Sequence, residues 1–240
     1  EELEKAINIA IEGRPGPVWV DIPLEIQWID VPYNPSYTIK NNDYVFNSNN
    51  FNQFYNLLSK SKKPLLVIGY GIRLSKTVDL CRKFIEKNKL PYVTTWTAQD
   101  IFLTSDMLNL GVIGMSGQKG ANKAVFSSDL LICLGTHLSI PHTTTLFEDY
   151  APNSKKIIIN IDSDQMNNLN IDFDLKVHID LKDFFDKVKK INHNCNLNFE
   201  EFKNLNWYHP TDKKVNSNIW NRKLTNSASN KSCFIVDGGG

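Results

Sequence analysis

The sequence lacks two features that would indicate a lipid or nucleic-acid partner. No apolar run approaches the roughly 20 residues that a membrane-spanning helix needs. The charges are balanced, with 27 Lys and Arg residues against 26 Asp and Glu residues and a net charge of +1, so there is no positive excess for nucleic acid or an anionic membrane surface. We therefore expect no nucleic-acid and no membrane partner, and we favour small molecules or protein as partners.

Cysteine is scarce, and the four cysteines stand far apart without a CxxC pair: Cys81, Cys133, Cys195 and Cys233. This spacing favours neither a disulfide framework nor a zinc site, so we predict reduced thiols and a cytoplasmic protein. His137 and His142 lie five residues apart, but no third ligand follows at a useful spacing. We therefore predict no metal site and give neither histidine a catalytic role.

The 240 residues are 41% hydrophobic and 22% charged, which is ordinary for a globular chain and allows one domain with overhangs or two small ones. The sequence starts at Glu1 inside a helical pattern, without a signal peptide, and ends with a predicted strand over 233–237 and three glycines. A strand needs neighbours to pair with. We therefore expect these residues to be an internal piece of a longer polypeptide.

The middle of the chain alternates apolar strands with helical patterns. Beyond an isolated strand at 18–22, strands are predicted within 62–71 and at 90–95, 129–135, 156–162 and 177–180, with helices after the first of these and at 121–126 and 181–191. Strands that are apolar throughout and separated by helices are typical of a parallel sheet covered on both faces. The predicted fold class is therefore α/β, a doubly wound parallel sheet with a Rossmann-like central domain and partial flanking α/β domains.

Glycines and acids follow these predicted strands, where doubly wound sheets bind ligands. They are Gly69, Gly71, Gly135, Asp162 and Asp180. They could hold a nucleotide-like ligand, with glycines allowing close backbone approach and acids accepting ribose hydroxyls. Turn formation and helix capping explain the same residues, and a GxG without the rest of the dinucleotide fingerprint does not decide between the two.

Several segments resemble thiamine-diphosphate enzymes of the acetolactate synthase type. The string EGRPGPVWVDIP at 12–23 is similar to the segment that closes the pyrimidine-binding domain of these enzymes. The strand and glycines at 64–71, the strand at 91–95 and the loop GVIGMSG at 111–117 resemble consecutive parts of their central domain. VDGGG at 236–240 is similar to the first strand and loop of their third domain.

The resemblance implies five parts along the chain. They are the C-terminal end of a pyrimidine-binding domain (1–30), a linker (31–60), the central domain (61–191), a second linker (192–231) and the start of a diphosphate-binding domain (232–240). It further implies a homodimer or homotetramer that decarboxylates and ligates 2-oxo acids with thiamine diphosphate and Mg²⁺.

The resemblance places little of the reaction machinery in these residues. Gly238 and Gly239 match the backbone that approaches the diphosphate of thiamine diphosphate, and an ordinary flexible turn explains them equally well. The family's glutamate and magnesium-binding segments lie outside this sequence. We therefore assign no catalytic residue here and expect the 240 residues alone to be inactive.

The central domain of acetolactate synthases binds FAD, and eight positions match the flavin-contacting pattern: Gly69, Gly71, Thr95, Gly114, Met115, Gly135, Asp162 and Asp180. After Gly135, however, the family's arginine is replaced by the sequence THLSIPH at 136–142. Losing a guanidinium that binds phosphate through two hydrogen bonds weakens the case for FAD. The expectation leans towards a central domain without FAD.

Two other interpretations remain. The chain could be a nucleotide-binding module of the NAD- or FAD-binding type without thiamine chemistry, although the string at 12–23 argues against a free-standing module. It could also be a regulatory remnant that kept the fold and lost the cofactor, and the departures at 136–140 support that reading.

Overall fold

Six parallel strands form one sheet at the centre of the molecule. The computed structural model describes residues 2–30, 32, 46–143, 149–195, 199–205, 217–229 and 231–234. The strands are β1 (Pro64–Ile68), β2 (Tyr92–Thr94), β3 (Asn109–Val112), β4 (Leu130–Leu134), β5 (Lys155–Asn160) and β6 (Leu175–His178). They lie in the order β3-β2-β1-β4-β5-β6 with every neighbouring pair parallel. This order is that of a doubly wound sheet, and the predicted fold class is confirmed.

Helices account for much of the remaining described chain. They are α1 (Glu2–Ile11), α2 (Ser48–Lys60), α3 (Gly71–Leu74), α4 (Val78–Asn88), α5 (Lys119–Ser127), α6 (Ser163–Asn168), α7 (Leu181–Val188), α8 (Glu200–Leu205) and α9 (Ser217–Ser227). The helices predicted after β1, at 121–126 and at 181–191 correspond to α4, α5 and α7.

The central strands are buried on both faces because helices cover each side of the sheet. Leu66 and Ile68 of β1 pack in one apolar core with side chains of α2, α4 and α7. Leu65 and Val67 of the same strand pack in a second core with α5 and α6. Alternate residues of a strand point to opposite faces, so an uninterrupted apolar run serves both cores.

The strand predicted at 18–22 is wrong. These residues are not in a strand, and Trp19 is 92% exposed. A strand forms only when a neighbour satisfies its backbone groups, and the described residues contain no strand next to this segment. The strand predicted at 233–237 falls mostly outside the described residues, and its first two residues are not in a strand.

Helix α2 lies in the stretch predicted as the first linker. Its N-terminus is capped by Asn47, whose side chain accepts a hydrogen bond from the Asn50 backbone N–H at 2.9 Å, and Asn50 returns the bond in a capping box. Phe54 and Leu58, one turn apart, are buried in the core beneath β1 and β6. Residues 48–60 therefore belong to the helical layer that packs on one face of the sheet.

Asp129 ties the start of β4 to the residues that lead into β1. Its carboxylate accepts hydrogen bonds from the Ser61 hydroxyl and from the backbone N–H groups of Lys62 and Lys63, the last two at 2.8 and 2.9 Å. Burial opposes ionisation, but these hydrogen bonds together bring the pKa of Asp129 below its usual value.

We expect Asp129→Asn to lower the free energy of unfolding by about 2 kcal/mol at neutral pH, because bonds to an ionised acceptor are lost. A depressed folded-state pKa contributes stability above the unfolded pKa of about 3.9, and this stability is lost as the pH falls through the folded value. The difference from wild type should therefore shrink below about pH 4 in urea titrations. Asp30→Asn at an exposed position is the control; an equal loss there, or a difference independent of pH, would contradict the assignment.

Candidate functional site

The carboxyl ends of β1 and β4 meet where the strand order reverses. The chain after β1 continues to β2 on one side, and the chain after β4 continues to β5 on the other. The crevice outside such a reversal is where doubly wound sheets bind ligands. The structure forms a cleft of about 720 Å³ there, which is within the usual range for small-molecule sites.

Four of the eight predicted nucleotide-contacting residues line this cleft: Gly71, Thr95, Gly135 and Asp180. Gly69 is not in the lining but packs against Gly135 and Thr136, which are. Asp162 is not in the lining either, but it forms an ion pair with Arg14, which is. Gly114 and Met115 instead line a separate cavity of about 350 Å³. The structure thus brings half of the predicted residues to one cleft, and their binding roles remain predictions.

The glycines at the strand ends allow two backbones to cross closely. The Gly69 N–H donates to the Leu134 carbonyl, and the Gly71 N–H donates to the Gly135 carbonyl, both at 2.9 Å. A β-carbon at Gly69 would lie 2.2 Å from the carbonyl oxygen of Gly135 and 2.5 Å from the α-carbon of Thr136. Close packing of the two turns therefore accounts for Gly69 without a ligand.

Both predicted acids cap helices. The Asp162 carboxylate accepts the Gln165 backbone N–H at 2.9 Å at the start of α6, and Asp180 accepts that of Lys182 at 2.7 Å at the start of α7. The Gln165 amide, and then Arg14 at 3.2 Å, hold the pKa of Asp162 below its usual value. Helix capping explains why both positions carry an acid. Only the carboxylate lone pairs that capping does not use remain to accept a hydrogen bond from a sugar hydroxyl.

Arg14 is the residue that sequence reasoning missed at this cleft. It follows α1 and lines the cleft beside its ion-pair partner Asp162, 148 positions further along the chain. No local sequence signal links residues so far apart. Lys182 also lines the cleft, on the exposed side of α7. Within the described part of the lining, these two side chains carry the full positive charges.

The segment after β4, at 136–142, is held by the side chains of Asn160 and Gln165. The Asn160 side chain donates to the Thr136 carbonyl at 3.3 Å, and the side chain of Gln165 contacts His137. Leu138 is fully buried. These residues shape the cleft wall but supply no guanidinium that could bind a diphosphate through two hydrogen bonds.

His142 lies in the wall between the cleft and the separate cavity. Its Nδ1 is 3.0 Å from the Ser139 hydroxyl, and its ring meets the Trp96 ring edge-on at 5.4 Å. Burial, and then the neighbouring His137, lower the pKa of His142, so the ring is neutral at pH 7. Among the described residues, no group of three or more His, Cys, Asp or Glu side chains could hold a metal ion.

Three of the four cysteines are buried, and none of the four forms a disulfide. Burial raises the pKa of the Cys133 thiol to about 12, so this side chain packs in the core as a small apolar group. Gly238 and Gly239, the two residues matched to thiamine diphosphate, lie outside the described residues. In the described part of the chain, no helix is both long and apolar enough to span a bilayer.

Comparison with known proteins places the sheet in a family. Residues 51–188 match the family model for the thiamine pyrophosphate enzyme, central domain. The chain is 34% identical over 167 residues to acetolactate synthase isozyme 2 large subunit of Escherichia coli K12, covering 70% of this chain and 30% of the relative. It is 35% identical over 173 residues to the acetolactate synthase large subunit of Corynebacterium glutamicum, covering 68% and 26%.

Acetolactate synthase 2, chloroplastic, of Nicotiana tabacum is 34% identical over 168 residues, covering 67% of this chain and 25% of the relative. The matched regions thus span between a quarter and a third of the length of these relatives.

Proposed function

The chain belongs to the thiamine pyrophosphate enzymes, whose central domain residues 51–188 match, and on that premise we propose that the whole protein decarboxylates and ligates 2-oxo acids in the manner of an acetolactate synthase. The observation that carries the proposal is this match over the entire sheet, together with relatives named acetolactate synthase at 34–35% identity. A nucleotide-binding module without thiamine chemistry, the rival interpretation, is not favoured by the same match.

The parts of the chain outside the sheet support the same proposal. The string at 12–23 and the glycines at 238–240 resemble the domains on either side of the central one in these enzymes. We accordingly propose that 1–30 closes a pyrimidine-binding domain, that 61–191 is the central domain and that 232–240 opens a diphosphate-binding domain, with linkers at 31–60 and 192–231. Helix α2 lies within the first proposed linker, and helices α8 and α9 lie within the second.

We propose thiamine diphosphate and Mg²⁺ as the cofactors of the whole protein. Thiamine diphosphate supplies an electron sink for the carbanion formed when a 2-oxo acid loses carbon dioxide. In this account Gly238 and Gly239 lie against its diphosphate, and the central domain holds the neighbouring domains in place. We assign no catalytic residue to these 240 residues and expect them alone to release no carbon dioxide from pyruvate.

We propose that the cleft at the strand ends does not retain FAD. Arg14 is already paired with Asp162 at 3.2 Å, and the segment after β4, THLSIPH at 136–142, contains no arginine or lysine that could bind a diphosphate. The purified full-length protein should therefore be colourless and release no more than a trace of flavin on denaturation. Flavin released in equal amount to protein would contradict this proposal.

We further propose a cytoplasmic homodimer or homotetramer. Three of the four cysteines are buried and none of the four forms a disulfide, which fits a reducing compartment. Light scattering of the purified full-length protein should give two or four times the mass of one chain, and a monomer at micromolar concentration would contradict the assembly.

The experiment that tests the proposed function is the release of carbon dioxide from pyruvate by the full-length protein. Release should require added thiamine diphosphate and Mg²⁺ and should stop when either is withheld. Binding of thiamine diphosphate without release from pyruvate would keep the family and exclude pyruvate as the substrate. Absence of binding would contradict the proposal and favour a remnant that lost the cofactor.

A further inference from the structure

The first part of the second proposed linker is packed on the central domain. Cys195 is buried in the core that the sheet shares with α4 and α7. Phe199 packs against this core and also against the core shared with α5 and α6. The two cores lie on opposite faces of the sheet, and Phe199 lines a small cavity with Pro64 and Pro91, where β1 and β2 begin. Phe199 therefore lies at the amino ends of the strands.

Asn88 holds the chain in place just before this point. It is the last residue of α4, and its side chain is fully buried. The Asn88 Oδ1 atom accepts the His193 backbone N–H at 2.7 Å, and its Nδ2 atom donates to the Phe84 carbonyl at 2.8 Å. The backbone carbonyl of Asn88 accepts the Cys195 N–H at 3.4 Å. A buried amide that is bonded at both ends fixes the path of the chain that it contacts.

Helix α8 is held on the other face of the sheet, against α5 and β3. Phe202 is half-buried and packs against the core shared with α5 and α6. Glu201 forms an ion pair with Lys123 of α5, and the Lys203 Nζ atom donates to the Asp106 carbonyl at 2.6 Å. An exposed ion pair contributes little free energy, whereas an aromatic ring removed from water contributes more. Phe202 is therefore the main anchor of α8.

These contacts shorten the connection to the proposed diphosphate-binding domain. They lie at the amino ends of the strands, away from the candidate cleft at the carboxyl ends. With α8 in place, only 206–231 separate the packed chain from the proposed domain at 232–240, whereas without these contacts the connection would begin at 192. A longer connection lowers the effective concentration of the domain it carries, and the released residues must be ordered again when that domain docks.

We propose that Asn88 and Phe202 are positioning residues for thiamine diphosphate binding. They hold the second linker at the amino ends of the sheet and so set where the diphosphate-binding domain lies. This inference rests on the proposed function, because that domain is the one proposed to contact the diphosphate. Neither residue touches the cofactor in this account. Loss of the anchor therefore lowers the affinity for thiamine diphosphate and leaves the rate at saturating cofactor unchanged.

The test is calorimetric titration of the full-length protein with thiamine diphosphate in the presence of Mg²⁺. Phe202→Ala should raise the dissociation constant about fivefold, while the rate of carbon dioxide release at saturating thiamine diphosphate stays within about twofold of wild type. Phe202→Leu keeps an apolar anchor and should bind within about twofold of wild type. Leu224→Ala, at an exposed apolar residue of the same proposed linker, should bind as wild type.

Hydrogen exchange of the same variants shows whether α8 has been released. Peptides that cover 199–205 should exchange faster in Phe202→Ala than in wild type, with no change in peptides from β4 and β5. Unchanged exchange at 199–205 would overturn the anchoring role of Phe202. Thiamine diphosphate binding by Phe202→Ala that equals wild type, or an equal loss in Leu224→Ala, would overturn the positioning role. A wild-type protein that binds no thiamine diphosphate would instead contradict the proposed function, and the positioning role with it.

Discussion

Gly69→Ala should destabilise the protein by about 3 kcal/mol or more, a large fraction of the 5–15 kcal/mol that is typical of a folded domain. An added β-carbon would meet the Gly135 carbonyl oxygen at 2.2 Å and the α- and β-carbons of Thr136 at 2.5 and 2.6 Å. Two of these three are backbone atoms, which cannot move away as the end of a flexible side chain can. The turns after β1 and β4 would have to separate.

The measurement is the free energy of unfolding in urea, with Gly16→Ala as the matched control. Nothing lies within 4 Å of a β-carbon at Gly16, so that variant should remain within about 0.5 kcal/mol of wild type. If Gly69→Ala unfolds at the same urea concentration as Gly16→Ala, then the crossing of the two strand ends is not as tight as the structure shows.

Phe184→Ala should cost about 3–5 kcal/mol, the usual range for removing a buried phenylalanine. Phe184 is fully buried, and its ring lies 5.4 Å from that of Phe54, 5.5 Å from that of Phe185 and 5.9 Å from that of Phe46, each edge-on. Deleting it leaves a cavity between α7 and α2. Helix α2 should lose protection before the rest of the domain, because its main apolar anchor is Phe54.

Hydrogen exchange read by mass spectrometry tests both parts of this expectation. The increase in exchange rate of Phe184→Ala over wild type should be larger for peptides from 48–60 than for peptides from β4 and β5. Phe126→Ala, at a ring that is 44% exposed, should cost less than about 1 kcal/mol and leave α2 protected. Uniform loss of protection, or a cost for Phe184→Ala no larger than for Phe126→Ala, would contradict the packing of α2 on the sheet.

The sequence predicted the fold class because the central strands are uninterrupted apolar runs. PLLVI in β1 and LLICL in β4 are buried throughout, and no other common element explains such short runs between helices. It did not predict β3, Asn109–Val112, as a strand, because an edge strand of four residues containing asparagine and glycine carries little pattern. It did not predict α2, because the asparagines of SNNFNQFYNLLSK are typical of turns and linkers and outweighed the helical spacing of Phe54 and Leu58.

The candidate site was predictable only where it follows from topology. Parallel strands bring their carboxyl ends to one edge, so Gly71 and Gly135 could be placed together from the strand pattern. Arg14 could not be placed, because its ion-pair partner Asp162 lies 148 positions further along the chain. The resemblance groups Gly114 and Met115 with the residues of the cleft, but in the structure they line the separate cavity of about 350 Å³.

The central claim is that these residues form the central domain of an acetolactate synthase-like enzyme. The most direct test is to incubate the full-length protein with pyruvate, thiamine diphosphate and Mg²⁺ and to identify the product by mass spectrometry. The account predicts acetolactate, formed only when thiamine diphosphate is present. Carbon dioxide release with acetaldehyde as the sole product would contradict the ligation step, and no turnover of pyruvate or any other 2-oxo acid would contradict the claim as a whole.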